Sequence, residues 1–262
     1  LRSTVAVGTT RKRVIPMLEE LSKLKAGKDF FVSFCPERTV EGNALDELNK
    51  LPQIIGGYSN KCELISSNFW NKMTPTVIKV NSLEASELVK LANNTFRDLS
   101  FAFSNNLSML CDIYNINAHE LINSANKGYE RNPIPSPSPG VGGYCLTKDP
   151  YIYNLSFAEN DSDINLGEIS RKSNEEALKY PIKVLNRFSK KINKPLKKLN
   201  VSIIGMAFKG IPETNDLRGS ASMELINKLE NKVNKIFVWD AIVSKDKLNL
   251  NNLLFIEKLN DH

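Results

Sequence analysis

Histidine is almost missing from this chain: two of 262 residues, His119 and the terminal His262. A histidine-rich metal site and a Ser-His-Asp or Cys-His machine both need imidazoles that the sequence does not supply. The four cysteines, Cys35, Cys62, Cys111 and Cys145, are scattered and form no C-x-x-C pair. That argues against a zinc ribbon or disulfide framework and for a reducing compartment. No run of about 18 apolar residues is present to span a membrane, and no leader pattern opens the chain, so the expected location is the cytoplasm. The G-x-G-x-x-G cradle of dinucleotide-binding turns is absent. An initiator methionine is absent too, and a fragment is expected.

What is present is ordinary for a globular protein: 41% hydrophobic and 24% charged residues. The net charge of +6 favours anionic ligands such as nucleotides. Much of it lies in Lys190, Lys191, Lys194, Lys197 and Lys198. With no aromatic interleaved, that cluster reads as a solvated interdomain linker rather than a nucleic-acid patch.

The order of elements predicts an α/β fold: two Rossmann-like units, the first incomplete, joined by a long central helix. Residues 1–81 alternate apolar strands (1–7, 30–34, 53–57, 76–80) with helical spacing over 11–24 and 61–73. Ligands of such sheets sit at the carboxyl ends of strands, which makes Ser3, Thr4 and Glu37 candidate site residues. No Pro or Gly interrupts 82–115, a helix of roughly 50 Å at about 1.5 Å per residue. Lys90, Asn94 and Arg97 stack on one of its faces, and Asn105 continues the stripe. A helix this long needs cover, as a spine between domains or as a subunit interface. After a short helix at 119–126 and a proline-rich loop, residues 164–189 read as a helix broken near Tyr180-Pro181. Strand–loop–helix–strand patterning resumes over 201–239 and gives only two strands. Its turn offers Lys209 and Arg218, which suit a mononucleotide diphosphate better than a dinucleotide. The expected domains are 1–81, 82–194 and 195–262, the last shortened.

Within the proline-rich loop, Pro139-Gly140-Val141-Gly142-Gly143-Tyr144-Cys145-Leu146-Thr147-Lys148-Asp149-Pro150 is the most distinctive stretch. Glycines let backbone approach a ligand, and prolines stiffen the approach. Cys145 is either a nucleophile presented on a rigid turn or a small buried hydrophobe. If it is a nucleophile, its proton must pass to Lys, Asp or Glu, given the shortage of histidine.

Taken together, several motifs resemble the UDP-glucose/GDP-mannose dehydrogenase family. They are Ser3-Thr4-Val5-Ala6-Val7-Gly8, Pro36-Glu37-Arg38 with Glu41-Gly42, and Glu87-Leu88-Val89-Lys90-Leu91-Ala92-Asn93-Asn94. The others are Gly142-Gly143-Tyr144-Cys145 with Asp149-Pro150, Gly205-Met206-Ala207-Phe208-Lys209, and Asp216-Leu217-Arg218-Gly219-Ser220. The resemblance covers nearly the whole chain and implies oxidation of a nucleotide sugar's primary alcohol to a uronic acid. Two hydride transfers consume two NAD, with no metal, in the making of surface-polysaccharide precursors. Cys145 is implied as the carrier of a thiohemiacetal and then a thioester, with Asp149 and Thr4 managing protons and water. Lys90 is implied as the oxyanion partner and Asn94 as a positioning or sugar-binding group. Glu37 and Glu41 are implied in ordering water or thioester hydrolysis, and Glu41 also in binding the sugar. Arg131, Gly142 and Gly143 are implied at the sugar, the two glycines by letting the loop close. Lys209 is implied at the diphosphate and Arg218 at the cofactor or phosphate region. The expected partners are a UDP-sugar and a second copy, paired through the central helix, with neither nucleic acid nor membrane. The substrate leans to an N-acetylated sugar on UDP.

Against the family's pattern, Ala6 stands for Pro, Asn106 for Glu and Ala241 for Pro, and the glycine-rich cofactor half is not in the sequence. An alternative is therefore a non-catalytic UDP-sugar-binding or dimerisation module.

Overall fold

The computed structural model describes residues 1–40, 42–157, 165–248 and 253–256. In chain order, a π-helical turn at Thr10–Val14 runs into helix α1 (Ile15–Ser22), which stops where Lys23 takes a φ of 61°. Strand β1 (Ser33–Phe34), helix α2 (Ala44–Lys50), strand β2 (Gln53–Gly57), helix α3 (Asn60–Trp70) and strand β3 (Val77–Val80) follow. Helix α4 (Leu83–Ile113) has 31 residues, about 46 Å at 1.5 Å each. Then come α5 (Ala118–Asn126), α6 (Asp149–Leu155), α7 (Leu166–Lys191), β4 (Asn200–Ile204), α8 (Ala221–Leu229), β5 (Lys235–Trp239) and β6 (Leu253–Phe255).

These elements form two compact units: Leu1–Phe96 with Lys148–Gly167, and Arg97–Thr147 with Glu168–His262. In the first unit the strand order is β1-β2-β3. Strands β2 and β3 are parallel and joined through α3, while β1 runs antiparallel to β2 with Ser33 opposite Gly57. Its core holds Ile15, Val32, Phe34 and Leu83, with Cys35, Ile55 and Trp70 beside them. Gly56 lets β2 lie against the start of α4: a Cβ there would sit 2.1 Å from the Ser82 carbonyl oxygen. The Ser86 hydroxyl then donates to the Phe34 carbonyl at 2.8 Å.

Residues 1–7, expected as a strand, are not one. Leu1 donates its amino group to Ser33 O and accepts from Cys35 N, and Arg2 accepts from Glu37 N. There the pairing ends. The chain is drawn off the sheet because the amides of Gly8 and Thr10 are bound by Glu87 on α4.

The second unit's sheet is fully parallel in the order β4-β5-β6, one strand more than expected. Ile203, Met206, Ile226, Leu229, Ile236, Val238 and Val243 fill its core. Helix α7 is continuous through Pro181 over 26 residues, where a break was expected. A proline removes one ladder hydrogen bond. Here the helix is held on both sides of it, because the Tyr180 hydroxyl and the Arg187 guanidinium both bind Asp112 of α4.

Candidate active site

In the first unit the site is built on α4. Glu87, Lys90 and Asn94 fall at i, i+3 and i+7, on one face. Glu87 is 2% exposed and accepts from Gly8 N at 2.6 Å and Thr10 N at 2.8 Å. It thereby staples the segment that carries Thr4 to the helix that carries Lys90, both half-buried. Asn94 donates through Nδ2 to Asp149 Oδ2 at 2.6 Å, and Lys148 Nζ reaches Asp149 Oδ1 at 2.6 Å. Asp149, in the first turn of α6, is fully buried. A buried polar group needs hydrogen-bond partners, so Asp149 fixes the orientation of the Asn94 amide.

Glu37, just past β1, is held by the Arg2 guanidinium and accepts from Thr39 N at 2.9 Å. Partial burial pushes its carboxyl up, but the Thr39 hydrogen bonds and the Arg2 charge outweigh that and leave it below the usual range. Arg2 also lies 4.5 Å over the Trp70 ring, which keeps this ion pair ordered. Glu41 lies outside the described residues.

In the second unit the site is the Cys145 turn. Cys145 is exposed, whereas Cys35, Cys62 and Cys111 are buried and all four thiols are free. The turn carrying it interlocks with the loop after β4. Gly143 N donates to Gly219 O at 3.2 Å. A Cβ on Gly142 would lie 2.2 Å from Gly219 O, and one on Gly143 would lie 2.7 Å from the Phe208 ring. The two glycines were expected to give the loop freedom to close on the sugar. Here they admit the close approach of a second loop.

That second loop runs from Gly205 to Ser220. Ser220 caps α8 and donates its hydroxyl to Met206 O at 2.6 Å. Phe208 N donates to Asp216 O at 3.1 Å, and Lys209 Nζ lies 5.4 Å over the Phe208 ring. Arg218 forms a fork on Asp216, with Nη2 2.6 Å and Nε 2.9 Å from Oδ2. Lys209 and Arg218 thus stand on the loop that touches the Cys145 turn. Arg131 stands apart, exposed, with its guanidinium 5.6 Å from the Tyr129 ring.

Sequence reasoning missed a buried group behind the Cys145 turn. Arg171 of α7 binds Asp98 of α4 at 2.7 Å, and Asp98 also accepts from Ser170 Oγ at 2.7 Å and Asn174 Nδ2 at 2.9 Å. Burial pushes the Asp98 carboxyl up, against the opposing pull of those partners. Asn105, expected on the α4 polar stripe, is buried, donating to Asn174 and accepting from Ser138 N.

Dinucleotide binding in an α/β unit uses free backbone amides at a strand-to-helix turn. At two described turns, the one before the π-helical turn and the one after β4, a carboxylate occupies such amides. Glu87 takes the amides of Gly8 and Thr10. Asp240 takes those of Met206 at 2.6 Å and Ala207 at 3.2 Å, along with Ile242 and Val243. Neither turn fits a pyrophosphate.

Residues 1–74 match the NAD binding domain of the UDP-glucose/GDP-mannose dehydrogenase family, and residues 84–176 match its central domain. The chain is 34% identical over 243 residues to UDP-N-acetyl-D-mannosamine dehydrogenase of Pyrococcus horikoshii, covering 93% of this chain and 56% of that protein. It is 32% identical over 259 residues to the Campylobacter jejuni protein of the same name, covering 96% and 61%. The chain therefore spans little more than half the length of these relatives. Among solved structures, the P. horikoshii UDP-D-ManNAc dehydrogenase superposes with a TM-score of 0.84 at 31% identity, over 97% of this chain and 61% of that one. The Staphylococcus aureus UDP-N-acetyl-mannosamine dehydrogenase gives a TM-score of 0.78 at 30% identity, over 94% and 56%.

Proposed function

This chain belongs to the UDP-glucose/GDP-mannose dehydrogenase family, and from that premise we propose that its parent enzyme oxidises the primary alcohol of a UDP-N-acetylhexosamine to the uronic acid, with NAD as oxidant. The product would feed surface-polysaccharide synthesis in the cytoplasm. UDP-N-acetylmannosamine is the favoured substrate, because relatives bearing that name match at 34% and 32% identity.

One observation carries the chemical reading. The only exposed cysteine sits on a turn that interlocks, through Gly142 and Gly143, with the loop bearing Lys209 and Arg218. This packing of the two loops supports reading Cys145 as the nucleophile and Lys209 and Arg218 as phosphate-binding cations of one assembly. In the proposed roles, the Cys145 thiolate adds to the aldehyde carbonyl carbon to give a thiohemiacetal. The thioester formed at the second oxidation is then opened by water, which returns the thiolate. Lys90 stabilises the oxyanion, and Asn94, oriented by Asp149, holds the reacting group. Thr4, Glu37 and Glu41 order the hydrolytic water, and Glu41 and Arg131 reach sugar hydroxyls. Lys209 meets the diphosphate, and Arg218 meets phosphate by exchanging it for Asp216. Because the amides at Gly8 and Thr10 and at Met206 and Ala207 are taken by carboxylates, neither turn would hold the cofactor's pyrophosphate. A homodimer through α4 would cover Phe103, Leu110 and Ile113, which are 58%, 48% and 72% exposed.

The decisive experiment is Cys145→Ser in the full-length protein with UDP-N-acetylmannosamine and NAD. Acid formation should stop, at the alcohol or at the aldehyde. Acid production at the unmodified rate would remove the covalent role. The two filled amide turns favour a second reading, a UDP-sugar-binding or dimerisation module. Calorimetry tests this reading: the chain should bind UDP and not NAD, and NAD binding would overturn it.

A further inference from the structure

We propose that Arg171, held by Asp98, is a positioning residue for Cys145, fixing the turn that presents the thiol. The proposal rests on the role given to Cys145 above. Arg171 is 4% exposed. Its guanidinium lies against both ends of the turn: Nη1 and Nη2 each stand 3.5 Å from Val141 O, and Nη1 stands 3.4 Å from Leu146 O. Residues 142–145 lie between these two carbonyls. A planar, permanently charged fork sets the orientation of both peptide groups, which a flexible ammonium cannot do.

The grip extends to the approach to the turn. Asn174 binds the Asp98 carboxylate and receives Asn105 Nδ2 at 2.9 Å, while Asn105 Oδ1 accepts from Ser138 N at 2.7 Å. Gly140 closes the gap to α7, where a Cβ would lie 3.0 Å from Asn174 O. One buried network therefore holds the loop at 138, 141 and 146, with the reactive thiol inside that interval.

A second observation separates positioning from simple stability. Nε of Arg171 is buried with no hydrogen-bond partner. A buried ion pair with an unsatisfied donor is a poor stabilising device, and apolar replacements of such pairs are often neutral or stabilising. The pair is better explained by the geometry it imposes on the loop.

The test uses the full-length protein with two variants, Arg171→Lys and the double variant Asp98→Asn/Arg171→Met. The double variant leaves no lone buried charge and keeps amide partners for Ser170 and Asn174, so it decides the matter if the lysine variant does not fold. Three quantities are measured: kcat and KM for acid formation from UDP-N-acetylmannosamine and NAD, UDP affinity by calorimetry, and the iodoacetamide alkylation rate of Cys145 by mass spectrometry. A misplacement near 1 Å can lower turnover about 100-fold. The expected result is a kcat reduced about 10- to 100-fold, with KM and UDP affinity nearly unchanged and an altered alkylation rate. A folded double variant with wild-type kcat and alkylation overturns the proposal, and so does a raised KM at unchanged kcat. If Cys145→Ser still makes acid, the functional reading falls separately, and the alkylation arm still decides whether Arg171 sets the turn.

Discussion

The interlock between the Cys145 turn and the loop after β4 can be tested with a single methyl group. In Gly142→Ala the new Cβ would lie 2.2 Å from Gly219 O. An ordinary carbon–oxygen contact is roughly 3.3 Å, so the two turns must separate by about 1 Å. Gly142 is not among the glycines with positive φ, so alanine brings no backbone strain and the clash is the whole effect. Separation breaks the Gly143 N to Gly219 O bond of 3.2 Å, a loss of about 0.5–1.5 kcal/mol. Overpacking adds about 1–3 kcal/mol. Together these disfavour the interlocked arrangement by roughly 2–4 kcal/mol, which is about 30- to 1000-fold in population at 1.4 kcal/mol per tenfold. Gly210→Ala is the control, since its Cβ meets nothing within 4 Å and its φ is not positive. Acid formation by the full-length protein should fall steeply in the first variant and stay near wild type in the second, with thermal unfolding followed in parallel. Equal turnover and equal melting temperature for the two variants would refute the interlock.

The other three expectations concern carboxylates. Glu87→Ala leaves the amides of Gly8 and Thr10 unpaired; at about 1–3 kcal/mol per buried donor, chemical denaturation should show a loss of roughly 2–6 kcal/mol, and an unchanged midpoint would mean the staple is dispensable. Asp149→Ala removes the acceptor of Asn94 and Lys148; because Lys148 is one-third exposed and can turn to water, the loss should be nearer about 2 kcal/mol than the figure for a sealed pair, with kcat falling more than stability accounts for. Burial pushes the Asp240 carboxyl up, but four backbone amides outweigh this and hold it below its ordinary value. A depressed carboxyl stabilises fully above its unfolded pKa, about 3.9, and that stability is lost as pH falls through the lower folded value. Melting temperatures from pH 7 to pH 2 should therefore fall less steeply on the acid side in Asp240→Asn than in the parent, and parallel curves would contradict the assignment.

Much of the fold could be read from local pattern. Strand β2 is Gln53–Gly57, the predicted range, because β-branched residues end there in two glycines. Helix α4 was legible because an apolar face persists for 31 residues with no proline or glycine. Residues 1–7 misled because their composition is strand-like, while their course is set by Glu87, some 80 positions away. The same distance hid the groups behind Cys145. Asp98 and Arg171 are 73 residues apart, and each alone reads as a charge on a helix surface. For Gly142 and Gly143 the residue type was informative and the reason was not. A glycine in a loop reads as freedom to move, whereas here the nearest atoms are a carbonyl and a ring that leave no room for a Cβ.

Glu87 and Asp240 solve the same problem in the two units. A turn that exposes backbone amides attracts an anion, and each unit supplies its own carboxylate. The turns are thereby rigid without a ligand. They are also closed to phosphate, so in the proposed function recognition of a nucleotide diphosphate would fall to cationic side chains. Lys209 and Arg218 are on the right loop for that, and Arg218 already binds an anion in the form of Asp216. Phosphate would then compete with a carboxylate for a bidentate fork, an exchange in which the guanidinium geometry is kept and only the anion changes. Since that loop also abuts Gly142 and Gly143, any shift of Arg218 toward phosphate bears directly on the turn that holds Cys145. In the proposed function, binding energy gained at a diphosphate would in this way be available to set the position of the thiol, where it would raise turnover rather than affinity alone.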